Sequence, residues 1–405
     1  MTQTVLIAGA GHAAGQAAIT LMQHKFAGRI VLVGEEPQLP YQRPPLSKKY
    51  LAGDLAAERL YLKPASFFDE PQLEVRTRTR IETVDRAAGT VSTSDGGRIG
   101  YDTLILATGS RVRRLAVEGA DLQGIFYLRT IGDVDAIRAG IVSGGRVVIV
   151  GAGYIGLEVA AVCRQRGLDV TVLEMADRVM SRVVSPEVSA FYEAQHARRG
   201  VRLLLSTGLD SFVGNGRVTG VRTGDGDTIP ADLVVVGVGI VPNTELAESA
   251  GLAVDNGIVV DDRCRTADPA IYAIGDCTSH FSSIYGRRVR LESVHNAVEQ
   301  GKTAASNVCG TEAHYSDVPW FWSDQYDLKL QIAGLSQGYD RTVLRGDPAG
   351  ARFSCAYLRD GVLIAVDAIN APRDFMQSKP LIANAVRCDP AALADPEVAL
   401  RDLKT

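Results

Sequence analysis

Residues 5–11 have the sequence Val-Leu-Ile-Ala-Gly-Ala-Gly, and residues 147–153 have the sequence Val-Val-Ile-Val-Gly-Ala-Gly. The two stretches lie 142 residues apart, counted from Gly9 to Gly151. Each leads from an apolar strand into a glycine turn, and a helical stretch and a second apolar strand ending in an acid follow it. This repeat predicts two βαβ units of the dinucleotide-binding type in one chain.

The spacing of small residues in each turn has a physical reason. The first glycine permits a tight turn, the second lets a pyrophosphate approach the backbone, and the third small residue allows the helix to pack closely on the strand. The phosphates then lie at the positive N-terminus of the helix. We predict that His12 is either a solvated loop residue or a phosphate neighbour. The predicted loop residues are Gly9, Gly11, Ala13 and Ala14 in the first unit, and Gly151, Gly153, Tyr154, Ile155 and Gly156 in the second.

An acid at the end of the second strand typically accepts hydrogen bonds from the adenosine ribose, about 20 residues beyond the loop. Glu35 lies 24 residues after the second loop glycine of its unit, and Glu174 lies 21 residues after its own. Because Glu174 would repel a 2′-phosphate, the second unit is predicted to bind NAD rather than NADP. Arg178 and Arg182 are near enough in sequence to receive such a phosphate, with solvation or a diphosphate contact as the alternatives.

Composition argues against several classes of protein. Lys and Arg number 43 against 47 Asp and Glu, so the chain lacks the basic excess of a nucleic-acid binder. It has no apolar run of the roughly 18 residues that span a membrane, and it enters a strand at Val5 without a signal sequence, which predicts a cytoplasmic protein. The cysteines stand at positions 163, 264, 277, 309, 355 and 388, with no CxxC. A disulfide framework, a zinc ribbon, an iron–sulfur cluster and a dithiol centre are therefore not expected. The six scattered histidines, with no HxxxH pair, argue against a metal site.

Three further motifs carry a family resemblance. They are Thr-Leu-Ile-Leu-Ala-Thr-Gly at 103–109, Val-Val-Val-Gly-Val-Gly-Ile-Val-Pro-Asn at 234–243, and Tyr-Ala-Ile-Gly-Asp at 272–276. In this order, with the two loops, they resemble the glutathione-reductase-type flavoproteins. The resemblance implies cofactor contacts at Thr108, Gly109, Gly237, Gly239 and Asp276.

The stretch Arg-Pro-Pro-Leu-Ser-Lys at 43–48 stands where disulfide reductases of that superfamily carry a redox-active cysteine pair. With residues 153–160, 292–297 and 319–326, it makes nearly the whole chain similar to the FAD-dependent NADH:ferredoxin reductases of bacterial oxygenase systems. The resemblance implies tightly bound, non-covalent FAD and NADH as the electron donor. The implied partner is a [2Fe-2S] ferredoxin that serves a cytochrome P450 or a ring-hydroxylating dioxygenase.

The resulting fold prediction is α/β, with two Rossmann-like, doubly wound dinucleotide-binding domains and a small C-terminal α+β domain. The NAD domain is inserted in the FAD domain. The predicted boundaries are 1–110 for the first FAD half, 111–233 for the NAD domain, 234–319 for the second FAD half and 320–405 for the C-terminal domain.

Site residues follow from the resemblance one by one. Lys48 is expected beside flavin N5, with Glu158 near the nicotinamide and paired to the lysine. The alternatives are that Lys48 only caps the following helix and that Glu158 pairs on a surface. Further expected cofactor contacts are Arg43, Ile81, Arg129, Arg182, Val294 and Trp320, where Arg43 has a simple salt bridge and Trp320 a core position as alternatives.

An acidic ferredoxin would need a local basic patch on a chain with a net charge of −4. The predicted patch comprises Lys63, Arg290, Lys302 and Lys379, with a merely solvated charged face as the alternative. Neither nucleic acid nor membrane is expected as a partner. Two other functions stay open at this point, an oxygen-reducing NADH oxidase and an NADH-binding flavoprotein with a signalling or redox-sensing role.

Overall fold

The computed structural model describes residues 3–403. This part of the chain divides into two compact units. Unit one comprises residues 3–43, 58–111 and 241–319, and unit two comprises residues 44–57, 112–240 and 320–403. No helix in the described range is long and apolar enough to cross a membrane.

Regular elements are numbered in chain order. The helices are α1 (His12–Gln23), α2 (Lys49–Ala52), α3 (Ala65–Phe68), α4 (Ile131–Gly140), α5 (Tyr154–Gln165), α6 (Pro186–Arg198), α7 (Glu245–Ser249), α8 (Val294–Val308), α9 (Pro372–Ala383) and α10 (Pro390–Ala394). The strands are β1 (Thr4–Ala8), β2 (Arg29–Val33), β3 (Leu73–Arg76), β4 (Ile81–Asp85), β5 (Thr90–Thr93), β6 (Arg98–Gly100), β7 (Thr103–Leu106), β8 (Ser110–Val112), β9 (Ile125–Tyr127), β10 (Arg146–Val150), β11 (Asp169–Leu173), β12 (Arg202–Leu204), β13 (Leu209–Asn215), β14 (Arg217–Thr223), β15 (Thr228–Pro230), β16 (Leu233–Val236), β17 (Ile240–Pro242), β18 (Ile258–Val260), β19 (Ile271–Ala273), β20 (Thr278–Ser282), β21 (Arg287–Val289), β22 (Trp320–Gln325), β23 (Leu328–Gly334), β24 (Arg341–Asp347), β25 (Arg352–Arg359) and β26 (Val362–Ile369).

Unit one is built on a parallel sheet with the order β19-β7-β1-β2-β3. Its central strand β1 is buried on both faces, as expected for an apolar run in a parallel sheet. Val5 and Ile7 pack with the small residues of α1, whereas Leu6 and Ala8 belong to a second core cluster on the other face. That second cluster also contains Val91 of the antiparallel sheet β4-β5-β6.

Unit two contains a second parallel sheet, with the order β12-β11-β10-β16-β9. Val148 and Val150 of β10 pack in one core cluster with Phe212 and Val221 from the antiparallel strands β13 and β14. The strand β16 pairs with β10 in this sheet. Leu233–Val236 therefore belongs to the same sheet as the strand that leads into the second glycine loop.

The C-terminal part of unit two is an antiparallel sheet with the order β22-β23-β26-β25-β24, followed by α9 and α10. Its strand β26 is buried along nearly its full length. The predicted fold class is confirmed: two parallel-sheet cores of the Rossmann type and an α+β region at the C-terminal end. The four predicted domain boundaries stay predictions.

Candidate functional site

The glycine loop of unit one joins β1 to α1. Gly9 has φ +124°, and a Cβ there would lie 2.2 Å from the Ala107 carbonyl oxygen, so the fold itself requires glycine. Gly11 differs, because its backbone is extended and a Cβ would meet nothing within 4 Å. Neither backbone strain nor packing explains glycine at position 11. The open space in front of it is what a pyrophosphate would fill at the start of α1.

The loop of unit two joins β10 to α5 and repeats this division of roles. A Cβ on Gly151 would lie 2.5 Å from the Gly237 carbonyl oxygen, and one on Gly156 would lie 2.0 Å from the Gly151 carbonyl oxygen. Both glycines are therefore needed for close packing. Gly153 has φ −77°, and a Cβ there would meet nothing within 4 Å. The residues of both loops thus fit a dinucleotide at the same position of the turn.

The two predicted ribose acids are held differently. Glu35 follows β2 and is exposed. Glu174 follows β11, and its carboxylate accepts hydrogen bonds from the backbone N–H of Ala152 (2.7 Å) and of Ala176 (2.9 Å). Because Ala152 lies inside the glycine loop, these bonds fix a negative charge at the loop.

The two arginines near Glu174 have different surroundings. Arg178 donates to the carbonyl oxygens of Ser181 (2.7 Å) and Val184 (2.8 Å) and to Ser189 Oγ (2.7 Å). This side chain therefore stabilises the segment before α6. Arg182 is exposed.

The motif at residues 272–276 in unit one ends at Asp276. Ser110 Oγ donates to Asp276 Oδ2 over 2.9 Å, and Asp276 lies in the short 3₁₀ turn Gly275–Cys277. Thr108 Oγ1 donates to the Asn243 carbonyl oxygen (2.6 Å), and Asn243 Nδ2 donates to the Thr108 carbonyl oxygen (2.8 Å). These contacts join segments more than 130 residues apart in the sequence. The half-buried Asp276 lies close enough to the start of α1 to interact electrostatically with His12.

His12 is the first residue of α1 and is half-buried. Its Nδ1 is buried, and no hydrogen-bond partner for this atom exists among the described residues. Burial, with a smaller contribution from the Arg43 guanidinium, lowers the pKa of His12 to about 4. A neutral imidazole with an orphaned nitrogen at the N-terminal end of α1 would fit a ligand bound there.

Arg43 is engaged within unit one. Its guanidinium donates to Tyr41 Oη (2.9 Å) and forms an ion pair with Glu36 (2.5 Å), while Tyr41 Oη donates to the same carboxylate (2.6 Å). The salt bridge that the sequence left as an alternative for Arg43 is therefore present. Its predicted cofactor contact stays a prediction.

Lys48 and Glu158 form an ion pair in unit two, with 2.8 Å between Lys48 Nζ and Glu158 Oε2. Glu158 is only 3% exposed, which excludes a surface pair, and Lys48 makes no side-chain capping bond to α2. Ser47 Oγ donates to Glu158 Oε2 (2.5 Å), and Ser323 Oγ donates to Glu158 Oε1 (2.6 Å). Three donors therefore surround this one buried carboxylate.

Sequence reasoning missed both serines. Ser47 lies next to Lys48 in the stretch 43–48, and this neighbouring position is the one feature of the sequence that could have indicated its role. Ser323 lies 165 residues from Glu158, and nothing local indicates their contact.

Aromatic side chains cluster near β22 in the same unit. Lys379 Nζ lies 4.7 Å from the centroid of Trp320, and the Tyr154 and Phe321 rings are 4.9 Å apart. Trp320 and Trp322 are both half-buried, so neither is a fully buried core residue. Ile155 is 42% exposed beside the loop.

The remaining predicted contacts lie at the ends of elements. Ile81 begins β4, and Val294 begins α8, whose N-cap Ser293 accepts from the Asn296 N–H. Arg129 precedes α4, and its N–H donates to Asp133 (3.0 Å). Gly239 has φ +103° and accepts from the Arg113 N–H. Their roles stay predictions.

Residues of the predicted basic patch have partners of their own. Lys63, Arg290 and Lys302 belong to unit one, and Lys379 belongs to unit two. Lys302 pairs with Glu299 (2.8 Å), Arg290 pairs with Glu292, and Lys63 lies over the Phe67 ring. These acids reduce the net positive charge that the patch offers.

Comparison with known proteins identifies the family. The Pyridine nucleotide-disulphide oxidoreductase family matches residues 3–301, and the Reductase C-terminal family matches residues 320–404. The chain belongs to the pyridine nucleotide-disulphide oxidoreductases. The predicted family and the prediction of an oxidoreductase are thereby confirmed.

Individual relatives agree over nearly the full length. The chain is 45% identical to a ferredoxin–NAD(P)+ reductase of Sphingomonas sp, covering 100% of this chain and 99% of that protein. It is 46% identical to rhodocoxin reductase of Rhodococcus erythropolis, covering 98% of this chain and 93% of that protein. A crystal structure of a covalent putidaredoxin reductase–putidaredoxin complex matches with a TM-score of 0.96 and 42% identity, covering 99% of this chain and 97% of that one.

Proposed function

We propose that this protein is an FAD-containing reductase that takes a hydride from NADH and passes electrons singly to a [2Fe-2S] ferredoxin. The ferredoxin would serve a cytochrome P450 or a ring-hydroxylating dioxygenase. Family membership and the ferredoxin reductases among the relatives support this function. The observation that carries it is the buried Lys48–Glu158 ion pair. Its lysine belongs to the stretch 43–48, which by resemblance stands where disulfide reductases carry their cysteine pair.

The cysteines do not offer an alternative electron route. Within residues 3–403 all six are free, and burial raises the pKa of the thiols of Cys163, Cys264 and Cys355. Such thiols stay protonated and unreactive at neutral pH. Electrons would therefore leave from the flavin itself.

A bound flavin supplies the redox chemistry, because it exchanges two electrons with a nicotinamide and one at a time with an iron–sulfur carrier. The chain supplies binding and electrostatics. The Lys48 cation, held by Glu158, would stabilise the negative charge that flavin gains on reduction. FAD would be held by Gly9, Gly11, Ala13, Ala14, Glu35, Arg43, Ile81, Thr108, Gly109, Arg129, Asp276, Val294 and Trp320. NADH would be held by Gly151, Gly153, Tyr154, Ile155, Gly156, Glu174, Arg182, Gly237 and Gly239.

Rapid mixing distinguishes this function from the two others considered. After anaerobic reduction by NADH, oxidised [2Fe-2S] ferredoxin is expected to reoxidise the flavin at least about tenfold faster than air-saturated buffer does. The measurement is stopped-flow absorbance of the flavin band. Reduced flavin that ignores ferredoxin and reacts quickly with oxygen would indicate an NADH oxidase. A reduced state that persists with both would indicate a signalling or redox-sensing flavoprotein.

Coenzyme preference provides a second test. Glu174→Ala removes the carboxylate at the glycine loop, so the KM for NADH is expected to rise about tenfold and the discrimination against NADPH to fall. Steady-state kinetics with both coenzymes measures this.

A matched control for that substitution is Glu193→Ala. Glu193 accepts a backbone N–H bond from Val179 (3.1 Å), so its removal also breaks an anchoring bond but leaves the charge at the loop unchanged. An unchanged coenzyme preference in Glu174→Ala would reject Glu174 as the specificity residue.

A docking surface for an acidic ferredoxin stays part of the proposal. Its basic groups would be Lys63, Arg290, Lys302 and Lys379. Because acidic side chains beside them reduce the net charge, electrostatic attraction of the ferredoxin would act only at close range. The cytoplasmic location predicted from the sequence is likewise proposed here.

A further inference from the structure

A chain of buried hydrogen bonds extends from Glu158 into unit two. Ser323 Oγ contacts Glu158 Oε1 at 2.6 Å and Gln325 Nε2 at 3.2 Å. Gln325 Oε1 contacts His196 Nε2 at 2.9 Å, and His196 Nδ1 contacts Tyr326 Oη at 3.2 Å. The chain therefore connects helix α5, strand β22 and helix α6.

Every member of this chain except Tyr326 is excluded from water. Ser323, Gln325 and His196 are 0% exposed, and Glu158 is 3% exposed. Burial lowers the pKa of His196 to about 4, so the imidazole is neutral at pH 7 and carries one N–H. A neutral imidazole donates from one nitrogen and accepts at the other.

The bond at the Glu158 end sets the direction of the others. The Ser323 hydroxyl donates to Glu158 Oε1, and the Ser323 oxygen accepts from the Gln325 amide N–H. Gln325 then presents its carbonyl oxygen to His196, which must donate from Nε2. His196 Nδ1 is left as an acceptor for the Tyr326 hydroxyl. All donors point toward Glu158, an arrangement in which each bond polarises the next.

We propose that His196 and Gln325 are positioning residues, which hold the Glu158 carboxylate in the orientation that fixes Lys48. They act on Glu158 through Ser323. The role assigned here to the Lys48–Glu158 pair in flavin reduction rests on the proposed function. The hydrogen-bond chain itself does not depend on it.

The physical basis is that the buried Ser323 hydroxyl and Glu158 carboxylate have few alternative hydrogen-bond partners. Without an N–H from Gln325, the Ser323 hydroxyl can rotate away from Glu158 Oε1. A buried carboxylate that loses one of its donors shifts toward its remaining ones, Ser47 and Lys48. Since Lys48 Nζ also donates to the Pro44 carbonyl oxygen (3.3 Å), a displaced carboxylate changes the position of the ammonium group.

Substitutions at His196 separate a positioning role from a packing role. His196→Met removes the donor at similar volume, and the limiting rate of flavin reduction by NADH is expected to fall about tenfold with little change in the Kd for NADH. His196→Gln places an amide N–H where Nε2 was and is expected to recover most of that rate.

The matched control is Tyr192→Phe on the same helix. Tyr192 is buried, and its hydroxyl has no hydrogen-bond partner among the described residues, so the substitution leaves the chain intact. Its rate is expected to equal that of the unaltered protein. Equal rates in His196→Met and His196→Gln, with similar losses of thermal stability, would mean that His196 only packs.

Nuclear magnetic resonance of ¹⁵N-histidine-labelled holoenzyme tests the chain without any turnover. The His196 signal, assigned through His196→Gln, is expected to be that of the neutral Nε2–H tautomer. In Glu158→Gln the amide can donate as well as accept, so a measurable Nδ1–H population is expected. An unchanged tautomer in Glu158→Gln would overturn the coupling. Failure of NADH to reduce the flavin of the unaltered protein would instead reject the proposed function and leave this result intact.

Discussion

Gly153→Val is expected to weaken NADH binding about 100-fold or more, close to 3 kcal/mol, while FAD stays bound. The extended backbone at position 153 suits a β-branched residue, and a Cβ there meets nothing within 4 Å. The fold therefore accepts valine. The pyrophosphate of a dinucleotide does not, because the second loop glycine is where it approaches the backbone.

Gly11→Val is the matched control, since Gly11 has the same open surroundings in unit one. It is expected to release FAD and to leave NADH binding intact. The flavin-to-protein ratio after gel filtration measures the first loss, and calorimetric titration with NADH measures the second. The assignment of one loop to each dinucleotide would be contradicted if either variant lost both FAD and NADH, or if either variant lost neither of them.

The loops could be predicted from the sequence because their constraints are local. A turn, a pyrophosphate and a helix N-terminus require small residues at fixed spacing, so Gly9, Gly11, Gly151, Gly153 and Gly156 indicate their function without any distant contact. The order of the glycines in the motif predicted a separate role for each, but the sequence did not show which atoms enforce the structural ones. Those atoms are the carbonyl oxygens of Ala107 and Gly237, which lie far from the loops in the chain.

The surroundings of Glu158 could not be predicted for the opposite reason. Its donors come from Ser47 and Ser323, which are 111 and 165 residues away. Serine at these positions has no distinguishing pattern, because a hydroxyl suits a surface, a turn or a buried pair equally well. His12 shows the same limit, since only the packed structure reveals that its Nδ1 is buried without a partner.

Lys48→Met is expected to slow flavin reduction by NADH about 100-fold and to lower the flavin midpoint potential by tens of millivolts. The reason is that a cation stabilises the charge of reduced flavin more than the neutral oxidised form. For a two-electron couple about 30 mV corresponds to about 1.4 kcal/mol. Anaerobic stopped-flow measures the rate, and dye-equilibrated titration measures the potential.

The same substitution leaves Glu158 buried without its cation, which is expected to destabilise the fold by roughly 2 to 3 kcal/mol. The double variant Lys48→Met/Glu158→Met separates this cost from the catalytic one. Removing both charges is expected to restore most of the melting temperature, because no uncompensated carboxylate remains, whereas the slow reduction and the lowered potential persist. Recovery of rate together with stability would mean that the pair serves the fold alone. Persistence of the slow rate in a stable protein would assign the catalytic effect to the Lys48 charge.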